Sequence, residues 1–293
     1  MIKRNSFKKI GTFMVFGAPA TVMFFAVIII PFLVGLVLTL TNWDVRTQDS
    51  TYVGLSNYIS VFNDKVFLTQ LWFTMKYVFF TVLIANACAF IIALILTSGL
   101  KGEKWIRTGF FTPNLIGGIV LGYLWATLFS QVFPYLGKKY GWALFETSWL
   151  TSTDTGFWAL VIATAWQLTG YLMIIYIAGF AGVPKDIIEA ASIDGTGYFK
   201  MIQKIIIPLA VPAIVVCVFI SISRAFLTYD INLALTKGGP FNSTELASYH
   251  IVQKAFLSNQ YGIGQAEAIV LFAVVAFFAL TQSYLLKRQE VEA

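Results

Sequence analysis

The sequence predicts an all-α polytopic membrane protein, with six transmembrane helices and a charged helix–turn–helix between the fourth and the fifth. Three observations carry this reading. Of 293 residues, 58% are hydrophobic and only 12% are charged, whereas a soluble domain carries about 25% charged residues. The mean hydropathy is +0.77. Apolar stretches recur along the chain at the roughly 20-residue length that crosses a bilayer core as a helix.

The first span is expected at about 13–40, interrupted by Pro19 and Pro31. A basic run, MIKRNSFKK, precedes it. The apolar run is far longer than the core of a cleavable leader, so it reads as an uncleaved first helix. The next spans are expected at about 72–97, 105–130, 157–182, 206–230 and 263–286. Pro208 and Pro212 fall in the first turns of the fifth, where neighbouring helices re-satisfy freed carbonyls. Assigned to alternate sides, twelve basic residues share a side with both termini: Lys3, Arg4, Lys8, Lys9, Lys101, Lys104, Arg107, Lys185, Lys200, Lys204, Lys287 and Arg288. Only six lie opposite: Arg46, Lys65, Lys138, Lys139, Lys237 and Lys254. That asymmetry puts both termini in the cytoplasm. No internal repeat or low-complexity stretch divides the chain, which reads as one membrane domain over 1–293.

Several function classes are disfavoured. No GxxxxGK[ST] phosphate loop is present, so the chain has no evident means of hydrolysing ATP. The single histidine, His250, falls in an outer loop and supports neither a histidine metal cluster nor a catalytic triad. Cys88 and Cys217 sit in apolar stretches as packing residues. Gly118 and Gly122 form a GxxxG that reads as close helix packing. Nothing points to nucleic acid as a partner.

The segment 183–205 is the anomaly, because it is charged and glycine-broken in an apolar chain. Pro184 suits a helix start, and Asp186 suits the positive end of the helix dipole. The helix would run through Glu189, Ala190, Ala191 and Ser192, and end at Asp194-Gly195, since glycine takes the left-handed conformation readily. A second helix would begin near Thr196 with Lys200 and Lys204 on one face. Ala190 and Ala191 would leave a face without bulk, suited to docking another protein. The alternative is a solvated connector.

Intramembrane polar residues are functional by default, because an unpaired polar group in lipid is costly. The fourth span holds Thr164, Trp166, Gln167 and Tyr171, and the fifth holds Ser221, Arg224, Thr228, Tyr229 and Asp230. Hydroxyl-binding groups beside aromatic faces suit a sugar. Each aromatic is equally at home in a membrane-interface belt, and Arg224 has a structural alternative in pairing with Asp230 or a partner subunit. Lys76 and Glu267 are expected near the outer membrane surface, snorkelling or meeting water.

The segment resembles the signature of permease subunits of ATP-binding-cassette importers. Glu189-Ala190-Ala191 is followed by three residues, Gly195, nine residues and Ile205, and Pro208 closes the motif. Ile207 stands where leucine is usual, and Thr196 where sugar importers often have alanine. The stretches YVGLSNYISVFND, FFTPNLI and LTKGGPFNSTELASYHIVQKAF resemble the carbohydrate branch, and within it the maltose-transporter-like subunit paired with a different second permease.

The resemblance implies a non-catalytic subunit in a bacterial cytoplasmic membrane that binds no cofactor itself. ATP and Mg would be used by a cytoplasmic ATPase dimer, alongside a second permease, an extracytoplasmic sugar-binding protein and membrane lipid. It makes 183–205 the coupling loop: Glu189 would meet a basic residue of the ATPase, Ala190 and Ala191 would permit close contact, Asp194 would orient the turn and Gly195 would set it. It also places Thr164, Gln167, Tyr171, Ser221 and Thr228 at the substrate. The long segment 232–262 would face the extracytoplasmic side, with its KGGPFNST turn a contact for the binding protein or a solvated loop. An importer of another small solute, such as a glycerol phosphate, is the alternative, because Arg224 would suit an anion. A stand-alone secondary transporter is the alternative of a different class.

Overall fold

The computed structural model describes residues 12–43, 50–99 and 101–287. Lys3, Arg4, Lys8, Lys9, Arg46 and Arg288 lie outside the described residues, as do both termini. The chain is an all-α polytopic membrane protein with five long apolar helices, or six if one bent pair is a single span. A two-stranded antiparallel ribbon, Thr41–Trp43 and Ser50–Tyr52, is its one addition among the described residues.

In chain order the helices are α1 Phe13–Leu38, α2 Ser56–Asn63, α3 Lys65–Thr97, α4 Glu103–Leu115 and α5 Gly118–Tyr140. Then come α6 Thr153–Ala181, α7 Lys185–Ile193, α8 Tyr198–Leu209, α9 Val211–Phe226 and α10 Asp230–Leu235. A short α11, Ala247–Val252, precedes α12, Tyr261–Lys287.

The chain divides into two compact units. One takes in the residues up to Asp64 together with Ile251–Val270. In it, the Asn57 side-chain amide donates to the carbonyls of Thr39 (2.8 Å) and Thr41 (2.9 Å), which closes the turn after α1. Gly262 admits the Thr41 carbonyl, Gly264 admits the Ala255 backbone, and the Gln265 side chain fills the space over Gly35. These contacts bury the start of α12, and they overturn the expectation that Glu267 meets water at the surface: its relative exposure is 0%. Lys254 Nζ and Asp64 Oδ2 form an ion pair at 3.0 Å. By contrast α1 presents almost its whole surface outward, with Gly35 its one buried residue, as suits a helix solvated by lipid.

The second unit takes in Lys65–His250 and the residues from Leu271 on. Its centre is the pairing of α3 with α6, the most buried of the long apolar helices. Ala85, Ala89 and Ala93 recur every fourth residue on α3, so one face lacks bulk and lies against Leu168, Leu172, Met173 and Tyr176. Small residues bring α6 close elsewhere too: Gly170 admits the backbone of Phe110–Phe111 on α4, and Gly179 admits Ala213 on α9. With no water to displace between helices in lipid, such close packing is what holds them together.

Two spans differ from the sequence expectation. The third, expected unbroken over 105–130, is interrupted at Ile116 and Gly117, whose ψ angles are 129° and 142°. Pro113 and the Gly117-Gly118 pair disfavour a continuous helix there, and α5 restarts and runs to Tyr140. The fifth, expected over 206–230, is the bent pair α8 and α9, at 73°. Pro212 lacks an N–H and its ring would clash with the Pro208 carbonyl, so the helix stops at Leu209 and restarts at Val211. It ends at Phe226, which leaves 227–229 as an open break before α10.

Candidate functional site

Both open breaks face one cavity of about 530 Å³ in the second unit. Its lining includes Ile116, Gly117 and Gly118 from one break and Leu227, Thr228, Tyr229 and Asp230 from the other. Non-helical backbone at membrane depth is stable where protein or an aqueous cavity satisfies it. Here the Gln167 amide donates to the Ile116 carbonyl at 3.1 Å, satisfying an acceptor that the interrupted helix frees.

The polar side chains are held in place. The Tyr77 hydroxyl on α3 lies 2.7 Å from Thr164 Oγ1 and 3.4 Å from Thr228 Oγ1, tying α6 to the break after α9. Arg224 Nη1 donates to Asn114 Oδ1 at 2.8 Å, and the guanidinium sits 4.5 Å from the centre of the Tyr171 ring. Tyr229 stacks on Tyr249, with ring centroids 5.8 Å apart. Gly118 lets Asp230 close in: a Cβ there would lie 2.7 Å from Asp230 Cβ and 3.4 Å from its Oδ2. Gly122, one turn on, meets Ala234 in the same way, so the GxxxG pair packs α5 on α10.

Of the residues singled out in the sequence, Thr164, Gln167, Arg224, Thr228 and Tyr229 line this cavity, and Tyr171 lies under Arg224. Ser221 does not line it. Ser221 is fully buried and accepts from Asn86 Nδ2 at 2.8 Å, while Asn86 Oδ1 accepts from the Tyr176 hydroxyl at 2.8 Å. The alternative in which Arg224 pairs with Asp230 is not the arrangement found, since its partner is Asn114. Sequence reasoning missed Asn114, Tyr77 and Asn86. The last two are polar residues inside an apolar span, the same signal that the fourth and fifth spans carry.

The segment 183–205 is built as two helices. Asp186 lies in the first turn of α7, and Asp194 is its C-cap. Gly195 follows with φ +72° and no atom within 4 Å of a would-be Cβ, so its conformation and not its space requires glycine. The Thr196 N–H donates to Ala191 O (2.9 Å) and the Gly195 N–H to Ser192 O (3.1 Å), a Schellman closure. The alanine pair divides: Ala190 is exposed and Ala191 buried, so only Ala190 belongs to an open face with Glu189. Ile193 and Phe199 flank the turn at 86% and 84% exposure. Pro208 lies at the far end of α8, next to the 73° bend.

A polar cavity at paired helix breaks inside a polytopic bundle is the architecture of a membrane permease, a class that moves solutes and does no covalent chemistry. The chain belongs to the family of inner membrane components of binding-protein-dependent transport systems, whose model matches residues 12–291. It is 36% identical, over the whole length of both chains, to a probable starch degradation products transport system permease protein of Thermoanaerobacterium thermosulfurigenes. It is 29% identical to the multiple sugar-binding transport system permease protein of Streptococcus mutans, over 96% of each chain. Among solved structures it shares the fold of a chain in a bacterial ABC transporter that imports the acidic polysaccharide alginate, with TM-score 0.82, 18% identity and coverage of 97% of this chain and 99% of that one.

Proposed function

We propose that the chain is the permease subunit of an ATP-driven, binding-protein-dependent importer of an oligosaccharide, forming half of its translocation pathway. The observation that carries this is the cavity. Thr164, Gln167, Arg224, Thr228 and Tyr229 offer donors, acceptors and an aromatic edge to a hydroxyl-rich ligand, in a chain whose relatives include sugar permeases. Tyr171 serves the site by holding Arg224. Ser221 acts from behind it, through Asn86, and touches no ligand.

In this reading the whole chain works as one permease domain with six spans, α8 and α9 forming the fifth. It sits in a bacterial cytoplasmic membrane with both termini inside. The segment 183–205 lies on the cytoplasmic side, where Glu189, Ala190 and Gly195 present α7 to an ATPase dimer that uses ATP and Mg. The exposed Ile193 and Phe199 support a protein partner, because apolar side chains on a charged surface mark contact sites. A second permease completes the pathway, and an extracytoplasmic binding protein delivers the sugar.

The test is reconstitution of the complex in lipid and measurement of binding-protein-dependent ATPase stimulation over a sugar panel. Stimulation by an oligosaccharide, lost in Thr164→Val with Gln167→Leu while assembly persists, is the expected result. Proton-coupled transport by the chain alone would overturn it.

A further inference from the structure

Lys65, Thr69, Trp72 and Lys76 recur on α3 at spacings of four, three and four residues, so they form one stripe along the helix. All four are exposed. Twenty-one residues separate Lys76 from the end of α3 at Thr97, which at 1.5 Å per residue is about 32 Å of helix, close to the thickness of a bilayer's hydrocarbon core. Lys76 and Trp72 therefore fall at one membrane–water boundary, where tryptophan gathers and a lysine stem snorkels. The stripe there lines another cavity of the second unit, of about 430 Å³, with the turn Phe241-Asn242-Ser243 as its other wall. That turn is fixed: the Gln70 amide donates to the Asn242 carbonyl at 2.9 Å, and Ser243 Oγ lies 2.7 Å from Thr153 Oγ1 on α6. Phe241 and Trp72 stand outward, at 102% and 60% exposure. Lys65 and Lys76 are the ionised residues of the lining, and among the described residues neither forms an ion pair. Glu245, which Gln70 also meets, is buried against His250 at 3.4 Å and lies outside the lining.

Toward the membrane centre the surface changes character. Met75, next to Lys76 in the chain, lines a groove of about 260 Å³ between α3, α9 and α12. Every residue lining that groove is apolar, Phe79, Leu83, Phe226 and Phe278 among them. We infer that these two features hold one anionic phospholipid, its phosphate drawn by Lys65 and Lys76 and an acyl chain laid in the groove. An amphiphile matches both ends, a cationic cavity at the boundary and an apolar groove at bilayer depth. A soluble protein would match the lysines and leave the groove open to lipid. Each basic residue near the surface favours an anionic headgroup about fivefold, and Thr69 and Asn242 add hydrogen-bonding groups for its glycerol. Bound there, the lipid joins α3 to the turn at Phe241–Ser243. Lipid binding at this place is independent of which solute the first cavity carries.

The full chain, delipidated in an uncharged detergent, is titrated with phosphatidylglycerol and with phosphatidylcholine of the same acyl chains, and bound lipid is read by native mass spectrometry. Phosphatidylglycerol is expected to bind at least about tenfold more tightly. Lys65→Gln with Lys76→Gln should bring the two lipids within about twofold, and Lys76→Arg should keep the preference. Lys138→Gln with Lys139→Gln removes the same charge from an exposed pair at the end of α5 and should leave the preference unchanged. Phe79→Ser with Leu83→Ser should weaken both lipids severalfold at an unchanged ratio. Inorganic phosphate at millimolar concentration should not displace the lipid; displacement would assign the cavity to a free phosphate and overturn the inference. No preference in the wild type, or a preference that survives loss of Lys65 and Lys76, overturns it as well.

Discussion

The guanidinium of Arg224 lies 4.5 Å above the centre of the Tyr171 ring, joining the fifth apolar segment to the fourth at the cavity. A cation over an aromatic face is held by the ring quadrupole, with about 0.5–2 kcal/mol depending on desolvation. Phenylalanine keeps that face and loses only the hydroxyl. Tyr171→Phe is therefore expected to leave the sugar concentration for half-maximal ATPase stimulation within about twofold. Tyr171→Ala frees the guanidinium and should raise it about tenfold, equal to about 1.4 kcal/mol. Equal losses in the two variants would show that the ring is not what matters.

A second prediction concerns Tyr77, whose hydroxyl bridges Thr164 and Thr228. It is fully buried, so its removal leaves threonine oxygens without that partner at a cost of about 1–3 kcal/mol. Tyr77→Phe should lower the midpoint of thermal unfolding in detergent by several degrees and slow transport, with the complex still assembled. An unchanged midpoint together with unchanged transport would mean that the bridge carries no load.

Close approach gives a third prediction, from two glycines. A Cβ on Gly170 would run into the backbone carbonyl of Phe110, and backbone cannot move aside cheaply. A Cβ on Gly117 meets nothing within 4 Å, and its φ of −59° suits any residue. Gly170→Val should abolish accumulation of folded protein in the membrane, while Gly117→Ala accumulates normally. Immunoblots of washed membranes decide it.

The parts of the molecule legible in the sequence are those set by local chemistry. Pro184, Asp186 and Gly195 mark α7 and its end, because capping and left-handed glycine act over a few residues. The helix breaks at 116–117 and 227–229 were not legible. A hydropathy window of about 19 residues averages over a two- or three-residue interruption. Ser221 shows another limit. An unbroken helix would put it on one face with Thr228, seven positions on, but the helix ends at Phe226, and Asn86 takes Ser221 into the core. Glu267 is buried, with the carboxylate of Asp64, about 200 positions earlier, within 4.8 Å of its own, and no local pattern reports such a neighbour.

The last prediction separates the two kinds of residue in the segment 183–205. Gly195 is needed for its φ of +72°, and a left-handed residue other than glycine costs about 1–2 kcal/mol, most for β-branched side chains and least for asparagine. Gly195→Val should therefore distort the closure formed by Thr196 N–H on Ala191 O and misplace α7, whereas Gly195→Asn retains most of the coupling. Glu189 is exposed on α7, so Glu189→Lys leaves the backbone intact and reverses the charge offered to a partner. Both Gly195→Val and Glu189→Lys are expected to insert normally and lose sugar-stimulated ATP hydrolysis. Only Glu189→Lys should be rescued in part by a reciprocal charge change on the ATPase, because a charge swap repairs an ion pair and cannot repair a turn. Normal stimulation in Glu189→Lys would remove this segment from the coupling path.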